Sequence, residues 1–206
     1  WFLCNAMGCD RIDLYLIYEN YVEEHEFKKF HNMVTRRASD EPFQHIIGKA
    51  PFYGRDFIVN RNVLIPRPET DILIARLKEN GAVSTLLDVG TGSGCIAITC
   101  SLEKLSNKIY ATDISMDALI VANENMALYK TDKIMTICHD FLNKCFKTRF
   151  DVIISNPPYI GKDEMESLQT NVRAYDPKVA LTDGSDGLVF YKRFANRFEK
   201  LLNPGG

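Results

Sequence analysis

The sequence has no apolar run approaching the length of a membrane-spanning helix, no C-x-x-C pair, no histidines at metal-ligand spacing and no surplus of positive charge. Each absence removes a class of function. A helical span needs about 20 consecutive apolar residues, so no membrane partner is expected. The six cysteines (Cys4, Cys9, Cys95, Cys100, Cys138, Cys145) and four histidines (His25, His31, His45, His139) are scattered along the chain. No metal and no Cys–His nucleophile pair is therefore expected. Cys95 and Cys100 fall in a predicted helix and Cys138 at a predicted strand; the set reads as small, buried, reduced thiols, which fits a cytoplasmic chain. The opening Trp1-Phe2-Leu3-Cys4 shows neither the basic region nor the cleavage pattern of a secretory signal. A formal net charge of −2 argues against nucleic acid as the main partner, because nonspecific binders carry a basic surplus.

What remains is a chain of 206 residues, enough for one α/β core and an appendage. Residues 10–37 read as a helix, with Phe27, Phe30, Met33 and Val34 at helical spacing and Glu23, Glu24, Lys28 and Lys29 facing outward. Arg36 and Arg37 suit the negative end of its macrodipole. Ser39-Asp40-Glu41-Pro42 closes that segment. His45-Ile46-Ile47-Gly48 and Phe57-Ile58-Val59 then read as short strands of a hairpin. Pro68-Glu69-Thr70-Asp71 opens a helix that stops at Asn80-Gly81. From residue 85 strands and helices alternate: strand 85–89, helix 95–103, strand 108–112, helix 116–129, strands 134–138 and 150–155, and a helix over 187–202 with Leu188, Tyr191, Phe194, Phe198 and Leu201 on one side. Such alternation predicts a parallel, doubly wound sheet. The expected organisation is a helical part over 1–42, a linking β-hairpin over 43–64 and a catalytic domain over 65–206.

Two features sit at predicted strand ends, where open α/β sheets bind ligands. Asn156-Pro157-Pro158-Tyr159 follows the apolar run 150–155. Two prolines in succession can neither extend a sheet nor enter a helix interior. They form a stiff ledge presenting the Asn156 amide, backbone carbonyls and the Tyr159 ring, suited to holding a planar amide or amino group; a plain strand-ending turn is the alternative. Asp88-Val89-Gly90-Thr91-Gly92-Ser93-Gly94 lies at a strand-to-helix junction, where glycines let a ligand approach the backbone. Cys95 stands where a dinucleotide fingerprint needs glycine. The spacing suits S-adenosylmethionine, which has no pyrophosphate to seat. Asp113, about twenty residues on, is placed to grip ribose hydroxyls; its alternative is a helix N-cap, with Ser115 competing. Asp140-Phe141 offers an acceptor and a flat apolar face for adenine, or else a loop with Phe141 in the core.

On these residues the chain resembles the Rossmann-like S-adenosylmethionine-dependent methyltransferases. More narrowly it resembles the release-factor glutamine methyltransferases, through Ile65-Pro66-Arg67-Pro68-Glu69-Thr70-Asp71, Leu87 to Gly94, Ser155 to Ile160, Asp176-Pro177, Ala180-Leu181 and Asp186-Gly187-Leu188. The resemblance implies an enzyme that methylates the side-chain nitrogen (N5) of the glutamine in the Gly-Gly-Gln motif of peptide-chain release factors. It implies that Gly90, Thr91, Gly92, Ser93 and Gly94 contact the methionine end of the cofactor. Asp113 then binds ribose, Asp140 and Phe141 border adenine, and Asn156, Pro157, Pro158 and Tyr159 hold the substrate glutamine, with Asn156 also touching the cofactor. Phe52 is expected to help wall the transfer site, and the N-terminal helices to help dock the release factor. Against the family pattern the N-terminal helical part reads as short. The start at Trp1 and the stop at Asn203-Pro204-Gly205-Gly206 suggest further residues, with the last sheet strands missing and the strand at 150–155 left as an edge.

Two other functions share the Asn-Pro-Pro-Tyr motif or the fold. An N6-adenine methyltransferase acting on DNA or RNA would hold a flipped base on the same ledge. It would need a basic groove, whereas Lys162-Asp163-Glu164-Met165-Glu166 just past the ledge is acidic. A non-catalytic cofactor-binding module would be expected to show decay in the glycine loop or at Asn156, and neither is decayed.

Overall fold

The computed structural model describes residues 1–206. The N-terminal part contains α1 (Phe2–Met7), α2 (Arg11–Leu16), α3 (Glu24–Ala38) and α4 (Phe43–Ile47). A hairpin of β1 (Lys49–Phe52) and β2 (Arg55–Ile58) follows, and a 3-10 turn over Pro68–Thr70 leads into α5 (Asp71–Asn80). The remaining chain forms β3 (Val83–Val89), α6 (Cys95–Leu102), β4 (Ser106–Asp113), α7 (Met116–Tyr129), β5 (Ile134–Cys138) and β6 (Val152–Ser155). Four short helices end it: α8 (Thr170–Tyr175), α9 (Lys178–Leu181), α10 (Val189–Ala195) and α11 (Phe198–Leu201).

The central sheet is parallel throughout, in the order β5-β4-β3-β6. Both faces of β3 are covered. Leu86 and Leu87 are each 0% exposed yet belong to separate clusters, because successive side chains point to opposite faces. Leu86 packs with Phe57, Ile74, Ile96, Ile98 and Ile109, and Leu87 with Phe141, Phe150, Phe194 and Leu201. Full burial of both faces explains why the strands read as continuous apolar runs. The chain leaves β3 toward β4 and β5 on one side and returns to β6 on the other. This reversal opens a crevice at the carboxyl ends of β3 and β6. β6 is an edge strand; on its outer side Phe150 meets Leu202 in an isolated bridge, with Phe150 N–H donating to the Leu201 carbonyl at 2.8 Å.

Four expectations from the sequence are corrected here. Residues 10–37 are two helices, each opening on its own capping pair. The Asp10 N–H donates to Asp13 at 2.8 Å and the Glu23 N–H to Glu26 at 2.9 Å, bonds that start a helix rather than continue one. Of the expected core stripe only Met33 is buried, while Phe27 and Val34 are exposed. Residues 45–47 are helical, not extended; five residues are too few for periodicity to show. The helix expected over 187–202 breaks at Asn196-Arg197, because Arg197 turns inward and donates to the carbonyls of Phe141, Leu142 and Lys144. Leu188, Tyr191 and Phe198 are thereby left exposed while Phe194 and Leu201 stay in the core. Finally, Cys4, Cys95 and Cys100 are buried, but Cys138 and Cys145 are exposed.

Polar contacts brace both parts of the chain, and one of them, from Tyr175 to Ser39, ties the N-terminal part to the sheet domain. Arg36 makes a two-pronged pair with Glu41 (2.9 and 2.8 Å), which holds the Glu41 carboxyl below its usual range. The Tyr175 hydroxyl donates to the Ser39 carbonyl at 2.7 Å, and Arg67 pairs with Asp176 at 2.7 Å. Asn125, 0% exposed, accepts from the Ile58 N–H at 2.7 Å and donates to the carbonyls of Ile58 and Ser93. One side chain thus links hairpin, α7 and glycine loop.

Candidate active site

Glycine loop and proline ledge lie side by side because β3 and β6 are paired in register. Val89 stands opposite Ser155, and the Ser155 hydroxyl donates to the Val89 carbonyl at 2.6 Å. The loop leaves β3 one residue after Val89, and the ledge leaves β6 one residue after Ser155. Both therefore border the same cleft, together with Pro66 and Thr70 on one wall and Pro177, Ala180 and Thr182 on another.

Most residues expected from the sequence meet in this cleft. Gly90, Thr91, Gly92, Ser93, Asp113, Asp140, Phe141, Asn156, Pro157 and Pro158 all line it. Gly92 has a φ of +55° with nothing within 4 Å of where a Cβ would stand, so the backbone there is open to close approach. Gly94 does not line the cleft. A Cβ on it would lie 3.1 Å from Ile98 and 3.3 Å from Ala122, so it serves the packing of α6 on α7. Phe52, expected at the transfer site, is 3% exposed in the main core, its ring 6.0 Å from that of Phe57, and does not line the cleft. Its β-hairpin position turns it toward the sheet. Tyr159 lies outside the cleft lining and is 57% exposed.

Hydrogen bonds show how the residues at the other strand ends are held. Ser115, not Asp113, caps α7, accepting from the Ala118 N–H at 3.2 Å. Asp113 instead accepts from the Gly92 N–H at 2.9 Å with one oxygen and from the Ser115 N–H at 3.0 Å with the other. Each oxygen keeps acceptor capacity, and the residue lines the cleft. Burial raises the Asp113 carboxyl above its usual range, opposed by those two N–H donors. Phe141 both lines the cleft and sits in the core, 4.6 Å centroid to centroid from Phe194. Asp140 is held below the usual carboxylate range by Asn143, whose side chain donates at 2.8 Å. It stays an anionic acceptor at the cleft edge.

A glycine loop with open backbone, a carboxylate with free lone pairs, and an acceptor beside an aromatic face match the three parts of S-adenosylmethionine in order: methionine, ribose and adenine. The sequence did not single out Thr70 as a site residue. It lies within the Pro-Arg-Pro-Glu-Thr segment, and its hydroxyl accepts from Asn156 Nδ2 at 3.3 Å. The wall formed by residues 177–182 includes Pro177 and Ala180 of the family motifs, but sequence reasoning assigned it no place in the site.

Beneath the loop, Asp88 is 0% exposed and accepts from the Thr91 hydroxyl at 2.6 Å. Burial pushes its carboxyl up to about 7, against the lowering effect of Thr91. Unfolded, the same group ionises near 3.8. Between these values the native state holds a proton the unfolded chain has lost, so its contribution to stability falls as pH rises from about 4 to about 7. The ligand-free protein should lose on the order of a few kcal/mol through this group across that window. Denaturant unfolding at pH 5 and pH 8 should show this loss for the wild type and a smaller one for Asp88→Asn. Parallel profiles for the two proteins would disprove it.

Comparison with known proteins places the chain in a family. Residues 68–195 match the family description "Methyltransferase small domain" and residues 1–48 match "PrmC N-terminal domain". The release factor glutamine methyltransferase of Geobacter sulfurreducens is 36% identical over 207 residues, covering 100% of this chain and 72% of the relative. That of Bacillus subtilis is 42% identical over 197 residues, covering 91% of this chain and 68% of the relative. Among solved structures, a precorrin 8W decarboxylase of Methanobacterium thermoautotrophicum gives a TM-score of 0.48 at 21% identity, over 73% of this chain and 66% of that one, a partial likeness only. With relatives of this identity matching along nearly its whole length, the chain belongs to the release factor glutamine methyltransferase family.

Proposed function

We propose that this chain transfers a methyl group from S-adenosylmethionine to the side-chain amide nitrogen of the glutamine in the Gly-Gly-Gln motif of a peptide-chain release factor, leaving S-adenosyl-L-homocysteine. The observation that carries this reading is the register of β3 on β6, which sets the acceptor-rich ledge directly beside the cofactor loop.

An amide nitrogen is a poor nucleophile because its lone pair is delocalised into the carbonyl. S-adenosylmethionine supplies an electrophilic methyl on a sulfonium sulfur. The chain's own residues then have three tasks. Asn156 Oδ1 and the Pro157 carbonyl accept the two N–H groups of the substrate amide and align its nitrogen. The same two oxygens stabilise the positive charge that develops on nitrogen, the inverse of an oxyanion hole. The walls at Pro66 and at residues 177–182 exclude water from the reacting atoms. Once the nitrogen–methyl bond has formed, one N–H proton is lost from a strongly acidic cation, so no strong base is required. Tyr159 follows the ledge as an exposed side chain, and its role is to pack against the bound amide. The glycine loop and Asp113, Asp140 and Phe141 hold the cofactor. The N-terminal helical part over 1–42 serves docking of the factor.

No helix is long and apolar enough to cross a membrane, and we place the activity in the cytoplasm, with the release factors. The decisive experiment is the intact mass of a purified release factor after incubation with the protein and S-adenosylmethionine, with an adenine-containing DNA duplex in parallel. One added methyl mapped to the Gly-Gly-Gln glutamine is expected. Methylated adenine with an unmodified factor would overturn the reading.

A further inference from the structure

We infer that Thr70 is a positioning residue for the reaction, anchoring the Asn156 carboxamide from the side away from the substrate. This rests on the function proposed above. Asn156 acts there through its oxygen, yet a carboxamide on a rotatable side chain can swing or flip, exchanging acceptor for donor. The ledge itself offers no restraint, because Pro157 and Pro158 have no N–H to hold that oxygen. The one side-chain contact the carboxamide makes is to Thr70: Nδ2 donates to Oγ1 at 3.3 Å, leaving Oδ1 free. Such bonds are often long before substrate is bound.

Thr70 is itself well fixed. It is 8% exposed, it closes the 3-10 turn over Pro68–Thr70, and its N–H donates to the Arg67 carbonyl at 3.0 Å. Three residues back, Arg67 pairs at 2.7 Å with Asp176, whose side chain is 1% exposed. The wall segment is therefore pinned at both ends, to Asp176 and to Asn156. A β-branched side chain also has little χ1 freedom, so its hydroxyl stays where the Asn156 amide needs it.

The test is a double-mutant cycle on Thr70 and Asn156, read as single-turnover methylation of the release factor. Thr70→Val keeps the shape and removes the hydroxyl. It should slow the methyl transfer roughly tenfold with unchanged cofactor affinity and melting temperature, and Thr70→Ser should restore most of the rate. In the Asn156→Ala background Thr70→Val should cost nothing further; an equal loss in both backgrounds would mean a general structural role and overturns the inference. The side-chain amide signal of Asn156 in NMR, identified by its loss in Asn156→Ala, reports the same bond without turnover. Thr70→Val should move it and Thr70→Ser leave it nearly in place; an unmoved signal in Thr70→Val also overturns the inference. If the wild type leaves the factor unmethylated, the proposed function fails and the amide signal alone decides the role of Thr70.

Discussion

Asn156→Ala is expected to bind S-adenosylmethionine as the wild type does and to transfer its methyl roughly 10²–10³ times more slowly. The expectation follows from where this side chain sits. It borders the cleft on a ledge that two prolines keep from relaxing, and its oxygen is free because its nitrogen is engaged by Thr70. Removing an acceptor that faces developing charge in a water-excluded site costs about 2.7–4 kcal/mol, by analogy with an oxyanion-hole donor. On the proposed reading the cofactor is held mainly from other strand ends, by the loop after β3, Asp113 after β4 and Asp140-Phe141 after β5, so affinity should be retained. Little stability should be lost, since Asn156 makes a single long side-chain bond. Single-turnover rates beside a calorimetric titration of the cofactor separate the two effects. A tenfold weaker cofactor with intact turnover would reassign Asn156 from substrate to cofactor.

Gly187→Ala should both destabilise the fold and cripple activity, although residue 187 does not line the cleft. Its φ of +78° is a left-handed conformation that costs an L-residue about 1–2 kcal/mol. More damaging, a Cβ there would drive into the Tyr159 carbonyl, with the Gly161 nitrogen only 3.3 Å away. The loop cannot give way easily. Asp183 gathers the N–H groups of Ser185 (2.8 Å), Gly187 (3.1 Å) and Val189 (2.9 Å), and Lys162 N–H donates to the Ser185 carbonyl at 2.8 Å. The displacement must then pass to the ledge, where a shift of about 1 Å in reacting geometry costs on the order of a hundredfold in rate. Gly184→Ala is the control. Its φ is +76°, but nothing lies within 4 Å of a new Cβ, so it carries the conformational cost alone. Unfolding midpoints and turnover of the two variants should differ sharply; equal behaviour would show that contact with Tyr159 does not matter.

Features governed by local chemistry were legible in the sequence. The alternation of strands and helices after residue 85 follows from apolar periodicity, and the ends of α7 and β5 fall where the sequence placed them. The glycine loop and the proline ledge could be recognised because backbone freedom and backbone restriction are properties of single residues. Less legible were elements whose limits are set by distant partners. The break between α10 and α11 depends on Arg197 reaching carbonyls more than fifty positions away, and the core position of Phe52 depends on a sheet that lies later in the chain. Asn125 and Asp88 look like ordinary polar residues until burial makes each one a junction.

By itself the sequence determined that a parallel α/β sheet would carry a glycine loop, an acid, an acid–aromatic pair and a proline ledge at successive strand ends, because period and turn chemistry are written residue by residue. Only the tertiary structure decided that loop and ledge share one cleft. That depends on β6 returning beside β3 with Val89 opposite Ser155, on Thr70 reaching Asn156 across 86 positions, and on the packing of Gly187 against Tyr159. Such long-range pairings are fixed by the burial of both sheet faces, a property of the assembled core rather than of any segment within it.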